Sequence, residues 1–195
     1  MLVWFSERQT KQQKLVFVAL IFCLFGDVWL MLDPPITWAF YAGTGKFLIA
    51  HAFYISSFSL DISCYGLINS PLKKKALRAI LITLIYIIKY YNIYAGWGGI
   101  EGVMRVFIVI YGTVMPLSAV TAILRSDDGP GGKEAYWKFV VGATLFVISD
   151  SLISYFRFHQ NVKADGIRGF LIMATYYVGQ TLIFLGSSFT KNQID

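Results

Sequence analysis

Six long apolar runs leave this chain few ways to fold. They fall at roughly 15–32, 38–60, 76–94, 103–124, 138–156 and 168–189. Each is close to the ~20 residues that a helix needs to cross a ~30 Å hydrocarbon layer. The runs are continuous rather than alternating, which argues against the strands of a membrane barrel. Only 14% of the 195 residues are charged, whereas a soluble domain carries about a quarter. These features predict an all-α, multi-span transmembrane helical bundle with six spans, forming one domain over 1–195.

The connections are short and rich in breakers: DPP at 33–35, NSP at 69–71, GWGG at 96–99 and DDGPGG at 127–132. No soluble domain fits between the runs. Lys and Arg set the orientation, because the cytoplasmic ends of spans carry the positive excess. With both termini cytoplasmic, that side holds Arg8, Lys11, Lys14, Lys73, Lys74, Lys75, Arg78, Arg125, Lys133, Lys138 and Lys191, eleven in all. The other side holds Lys46, Arg105, Arg157, Lys163 and Arg168, five in all. Lys89 lies inside the third run near its outer end, where a lysine stem can snorkel to the interface. The net charge of +6 follows this topological pattern, and no basic face or nucleic-acid motif accompanies it. The run after Lys14 is too long for a cleavable signal. Cys23 and Cys64 suggest no disulfide.

Polar residues interrupt five of the runs at similar depth. Asp27 lies in FGDVWLM (25–31), His51 in FLIAHAFY (47–54), Tyr111 in VIYGTVMP (109–116), Asp150 in FVISDSLISYF (146–156) and Gln180 in TYYVGQTLI (175–183). Helical spacing extends these sites. Tyr54 follows His51 by three, Tyr177 and Tyr176 precede Gln180 by three and four, and Ser154 and Arg157 follow Asp150 by four and seven. A single Tyr, Ser or Gln in a membrane helix is ordinarily a contact between helices. His51 alone reads equally well as a structural histidine or a functional one. The carboxylates differ. Burying an Asp in hydrocarbon costs about 2.5–3.5 kcal/mol on the lenient scale. Two such costs on separate helices point to a site.

The ordered set of GD (Gly26, Asp27), AH with a following Tyr (Ala50, His51, Tyr54), a mid-span Tyr111, SD with a following RF (Ser149, Asp150, Arg157, Phe158) and YYxxQ (Tyr176, Tyr177, Gln180) resembles the YhhN family of membrane proteins, which includes the lysoplasmalogenases. The likeness spans nearly the whole chain. It implies a helical bundle of about eight spans. This chain starts where the third of those spans would start, so two helices are expected to be absent. It also implies activity on lysoplasmalogens: hydrolysis of the sn-1 vinyl ether to a fatty aldehyde and glycerophosphoethanolamine or glycerophosphocholine. The partners are then a lysophospholipid and the surrounding lipids, and no nucleic acid.

Vinyl-ether hydrolysis begins with slow protonation of the outer alkene carbon, giving an oxocarbenium ion that water captures. Two carboxyls in a low-dielectric site can serve as the proton donor and as the anion beside the cation, as in glycoside hydrolysis. Asp27 and Asp150 are therefore the candidate catalytic pair. His51, Tyr54, Tyr111, Tyr176, Tyr177 and Gln180 are candidates for orienting carboxyls or water. Arg157, Arg105 and Lys46 are candidates for the phosphate. No cofactor and no metal are expected, since Asp27, His51 and Asp150 with a single span histidine make a poor zinc set. A proton-coupled small-molecule or lipid transporter is the alternative, because buried Asp and His also build proton relays.

Overall fold

The computed structural model describes residues 10–33, 38–63, 68, 70–95, 102–127, 131–158 and 166–189. Among them are six helices and no strand. They are α1 (Lys11–Met31), α2 (Ala39–Ser59), α3 (Leu72–Ala95), α4 (Val103–Leu124), α5 (Gly132–Phe158) and α6 (Gly166–Phe189). Each matches one apolar run. Four of them, α1, α4, α5 and α6, are long and apolar enough to cross a membrane. The other two have the length but carry more polar residues, including His51 on α2 and Lys89 on α3. Outward faces are apolar in the manner of a lipid-facing surface: Leu24, Phe25 and Val28 on α1, Leu84 and Ile88 on α3, and Phe170 and Val178 on α6 are all exposed. The chain is an all-helical membrane bundle.

The start of α1 shows how local chemistry fixes position. Thr10 caps the helix, its hydroxyl accepting from the Gln13 N–H, while the Gln13 side chain accepts from the Thr10 N–H. The same Gln13 side chain donates to the Ser187 carbonyl at 3.1 Å, tying α1 to the end of α6. Gln12 donates to the Ser57 carbonyl and to the Asp61 carboxylate at the end of α2. Asp61 in turn pairs with Arg125 at 2.6 Å. Arg125 follows the last turn of α4, where a cation suits the helix dipole. It is buried, with its guanidinium 4.0 Å from the centre of the Phe139 ring on α5. This latch joins α1, α2, α4 and α5 at one end of the bundle.

The most extensive packing joins α1 to α2 and α5 to α6. Both interfaces depend on glycine. A Cβ on Gly142 would stand 2.8 Å from the Gly179 carbonyl oxygen, and one on Gly179 would stand 2.9 Å from that of Gly142. Small residues let membrane helices approach backbone to backbone in this way. Between α1 and α2, Gly26 is covered by the Phe47 ring, which a Cβ would meet at 2.7 Å. Tyr136 is buried and donates to the Ile123 carbonyl at 3.1 Å. Cys64 and His159 lie outside the described residues.

Candidate functional site

Asp150 is 3% exposed and sits where three helices meet. The Tyr111 hydroxyl on α4 donates to its Oδ2 at 2.6 Å. His51 on α2 presents Nε2 to the same oxygen at 3.5 Å, just beyond hydrogen-bond length. The imidazole is fully buried and lies against the Phe146 ring, centroids 4.7 Å apart. Its Nδ1 is 3.0 Å from the Ser118 hydroxyl, which donates its own proton to the Met115 carbonyl. Ser118 therefore accepts from His51, so Nδ1 carries the proton and Nε2 is left facing the carboxyl. Nε2 has no hydrogen-bond partner. This is the geometry of a group ready to share a proton with Asp150.

Asp27 is half-buried on α1. It accepts from the Tyr176 hydroxyl of α6 at 2.9 Å. One turn earlier, Cys23 accepts from the Gln180 amide at 3.3 Å, and the Gln180 carbonyl accepts from the Tyr54 hydroxyl. Cys23, Gln180 and Tyr54 thus tie α1, α6 and α2 together beneath the carboxyls. Pro116 interrupts α4 between Tyr111 and Ser118. It has no N–H to give the carbonyl four residues back.

Two hollows meet at Asp150. The larger has a free volume of about 180 Å³ and is lined by Asp27, Leu30, Met31, Phe47, Ser149, Asp150, Ile153, Ile172, Met173, Tyr176 and Tyr177. At its rim Met31 is 82% exposed and Tyr177 60%, so it opens between α1 and α6 onto the lipid-facing surface. The second is a slot lined by Leu30, Phe40, Thr44, Phe47, Lys89, Phe107, Ile108, Tyr111, Asp150, Ile153 and Ser154. Its free space fits about one water molecule. Leu30, Phe47, Asp150 and Ile153 wall both spaces.

The structure thus gathers Asp27 and Asp150 on one cavity, with Tyr176 on Asp27 and with Tyr111 and His51 on Asp150. Tyr54 and Gln180 bond each other and line neither space. Tyr177 sits at the rim. The three cations expected near a phosphate line neither hollow: Arg157 pairs with Asp33 and stacks 4.0 Å from the centre of the Phe40 ring. Lys46 lies 6.0 Å from the centre of the Phe22 ring, and Arg105 is exposed near the start of α4. Lys89 corrects the sequence reading outright. It does not snorkel; it is 1% exposed and turned into the slot. Ile85, one turn earlier on the same stripe of α3, is buried with it, but the apolar residues all around this helix give no sequence signal of that face. Among the described residues, no three His, Cys, Asp or Glu side chains stand close enough to hold a metal ion.

Fold and site together define a helical membrane protein with a buried Asp–His–Tyr cluster on a lipid-open cavity. The chain belongs to the YhhN family, whose sequence model matches residues 1–187. It is 28% identical over 182 residues to lysoplasmalogenase TMEM86A of Bos taurus, covering 92% of this chain and 68% of that protein. It is 28% identical over 163 residues to lysoplasmalogenase TMEM86B of Mus musculus, covering 80% of this chain and 58% of that one. No solved structure matches the chain.

Proposed function

We propose that this chain is a membrane-embedded hydrolase that cleaves the sn-1 vinyl ether of lysoplasmalogens, releasing a fatty aldehyde and glycerophosphoethanolamine or glycerophosphocholine. The observation that carries the reading is one cavity, open to the lipid face, with carboxyls from two different helices in its wall. The names of the relatives above agree with it.

The surroundings of the two carboxyls divide the work. Asp150 has a tyrosine donor and an imidazole edge on one oxygen, and a lysine in the adjoining slot. We assign it the anion's role, with the proton that the pair shares on His51 Nε2. Asp27 has a single tyrosine donor and no cation among its described contacts, so it is the group carried neutral in an apolar wall. Asp27 delivers its proton to the outer alkene carbon, and the ether oxygen shares the resulting positive charge. The Asp150 carboxylate faces that charge across the cavity. Water adds to the carbon bearing the ether oxygen and gives a proton to Asp150, with His51 behind it. The hemiacetal hydroxyl returns a proton to Asp27 as the C–O bond breaks, and Asp150 protonates the departing glycerol oxygen. Each carboxyl ends as it began, and one water is consumed.

The alkenyl chain lies along the rim between α1 and α6. The phosphate lies toward Arg157, whose ring partner Phe40 lines the slot. With the charge bias placing both termini in the cytoplasm, the cavity falls in the outer half of the bilayer. Labelling single cysteines at 165 from outside and at 130 from inside tests that placement. The activity is tested with purified protein on a 1-alkenyl lysolipid and on its saturated 1-alkyl analogue. Aldehyde is expected from the first alone; aldehyde from neither sinks the hydrolase and leaves the transporter.

A further inference from the structure

Lys89 is the one charged wall residue of the two hollows that moves no proton in the reaction above, where it serves only as a charge near Asp150. Its ammonium has no protein hydrogen-bond partner and is almost wholly buried. It is 5.8 Å from the centre of the Tyr111 ring, whose hydroxyl holds Asp150. An ammonium has three donors and no acceptor. Left unsatisfied in an apolar interior, such a group is expensive. Ordered water satisfies it where the space is polar and large enough. The slot has room for about one water, and in an otherwise apolar wall Asp150 and the hydroxyl oxygens of Thr44 and Ser154 offer it acceptors. It is too narrow for a phosphate head group. Lys89 does not line the lipid cavity, so its charge stands apart from the carbon that becomes cationic. Asp150 walls both spaces.

We infer that the slot is the water site of the reaction, and that Lys89 is the positioning residue holding the hydrolytic water against Asp150. The inference rests on the vinyl-ether reading. The ammonium donates to the water oxygen, and one water proton points to the Asp150 carboxylate. The remaining lone pair is free to attack. Lipid enters from the membrane and water from the slot, and the two meet across the wall that Asp150 shares.

With water held in place, capture of the oxocarbenium outruns its return to alkene. Carbon protonation is then rate-limiting, and turnover in D2O shows a normal solvent isotope effect. Lys89→Met removes the donor. Protonation becomes reversible and water capture becomes slow. The expected result is a kcat about 10- to 100-fold lower, an unchanged KM and an isotope effect that falls to unity or inverts. A merely structural lysine does not move the isotope effect. Where Lys89→Met fails to fold, Ser154→Leu fills the slot from α5 and carries the same readout. Wild-type kcat with the normal isotope effect retained overturns the water site. So does a rise in KM alone, which assigns Lys89 to the head group. Both results leave the hydrolase intact if Asp27→Asn still abolishes aldehyde release. No aldehyde from the wild type overturns the hydrolase and the water site together.

Discussion

The bundle buries charge at two ends in two different ways. At the Arg125 end, a cation and an anion touch at 2.6 Å, an amide completes the carboxylate and an aromatic ring covers the guanidinium. Neither of the two hollows reaches this pair. At the Asp150 end, the neighbours are a tyrosine, an imidazole 3.5 Å away and a lysine with no hydrogen-bond partner, all around open space. The first arrangement spends its charges on holding helices together. The second leaves binding capacity in reserve. Unpartnered donors occur at both ends, since Nε and Nη1 of Arg125 are also buried without a hydrogen bond; what separates the ends is the open space beside Asp150.

The contrast is sharpest in what a mutation should destroy. Asp150→Asn is expected to lower turnover by about 10³-fold while the protein stays folded, because general acid–base groups contribute on that scale. An amide is nearly the same shape and carries no charge, so thermal stability should hold or rise. Asp27→Asn should lose a similar factor, and the double variant should be little worse than either single one. Aldehyde release and melting temperature, measured on the same preparations, check this; wild-type turnover in either Asn variant breaks the comparison.

Arg125→Met should do the reverse. It strands Asp61 and should cost about 3 kcal/mol of stability, the low end for a broken buried pair because Asp61 is partly exposed. Turnover per folded molecule should not change. Adding Asp61→Leu should recover most of the loss, by denaturation in mixed micelles. Tyr111→Phe is milder. It removes one donor from Asp150 and should reduce turnover by about tenfold, the value of a hydrogen bond to a charged group. A loss of stability without a loss of turnover would move Tyr111 to the structural side.

The smallest effect lies on the loop after α4. Lys74 holds Asp127 at 2.6 Å, and its ammonium keeps that carboxyl below the usual carboxylate range. The folded value is depressed, so the stabilisation is present above the ordinary value of 3.8 and is lost as pH falls through the folded one. Lys74 is nearly half exposed, so Lys74→Met should lower the melting temperature slightly at neutral pH and not at all in strong acid.

Much of this was legible before any coordinates. Continuous apolar runs set all six helices, since length and composition suffice for that. Asp27 and Asp150 stood out because hydrocarbon makes an idle carboxylate costly. What the sequence hid was helix rotation. Arg157 shares a stripe with Asp150, yet the turn after α1 brings Asp33 to it. Lys89 reads as a snorkelling lysine until α3 is set against α4 and α5. Asp61 and Arg125 sit in connections 64 positions apart, and neither shows its partner in its own segment.

The glycine crossings also have a mechanical consequence. Helices α1 and α2 form one stiff hairpin, and α5 and α6 form another, each clamped where a side chain would not fit. The seam between the hairpins, from α1 to α6, packs far more sparsely. Compliance is therefore concentrated along the line where Met31 and Tyr177 flank the large cavity. A lipid tail entering there bends no helix, but it has to pass the side-chain bonds Tyr176–Asp27 and Gln180–Cys23 that cross the seam.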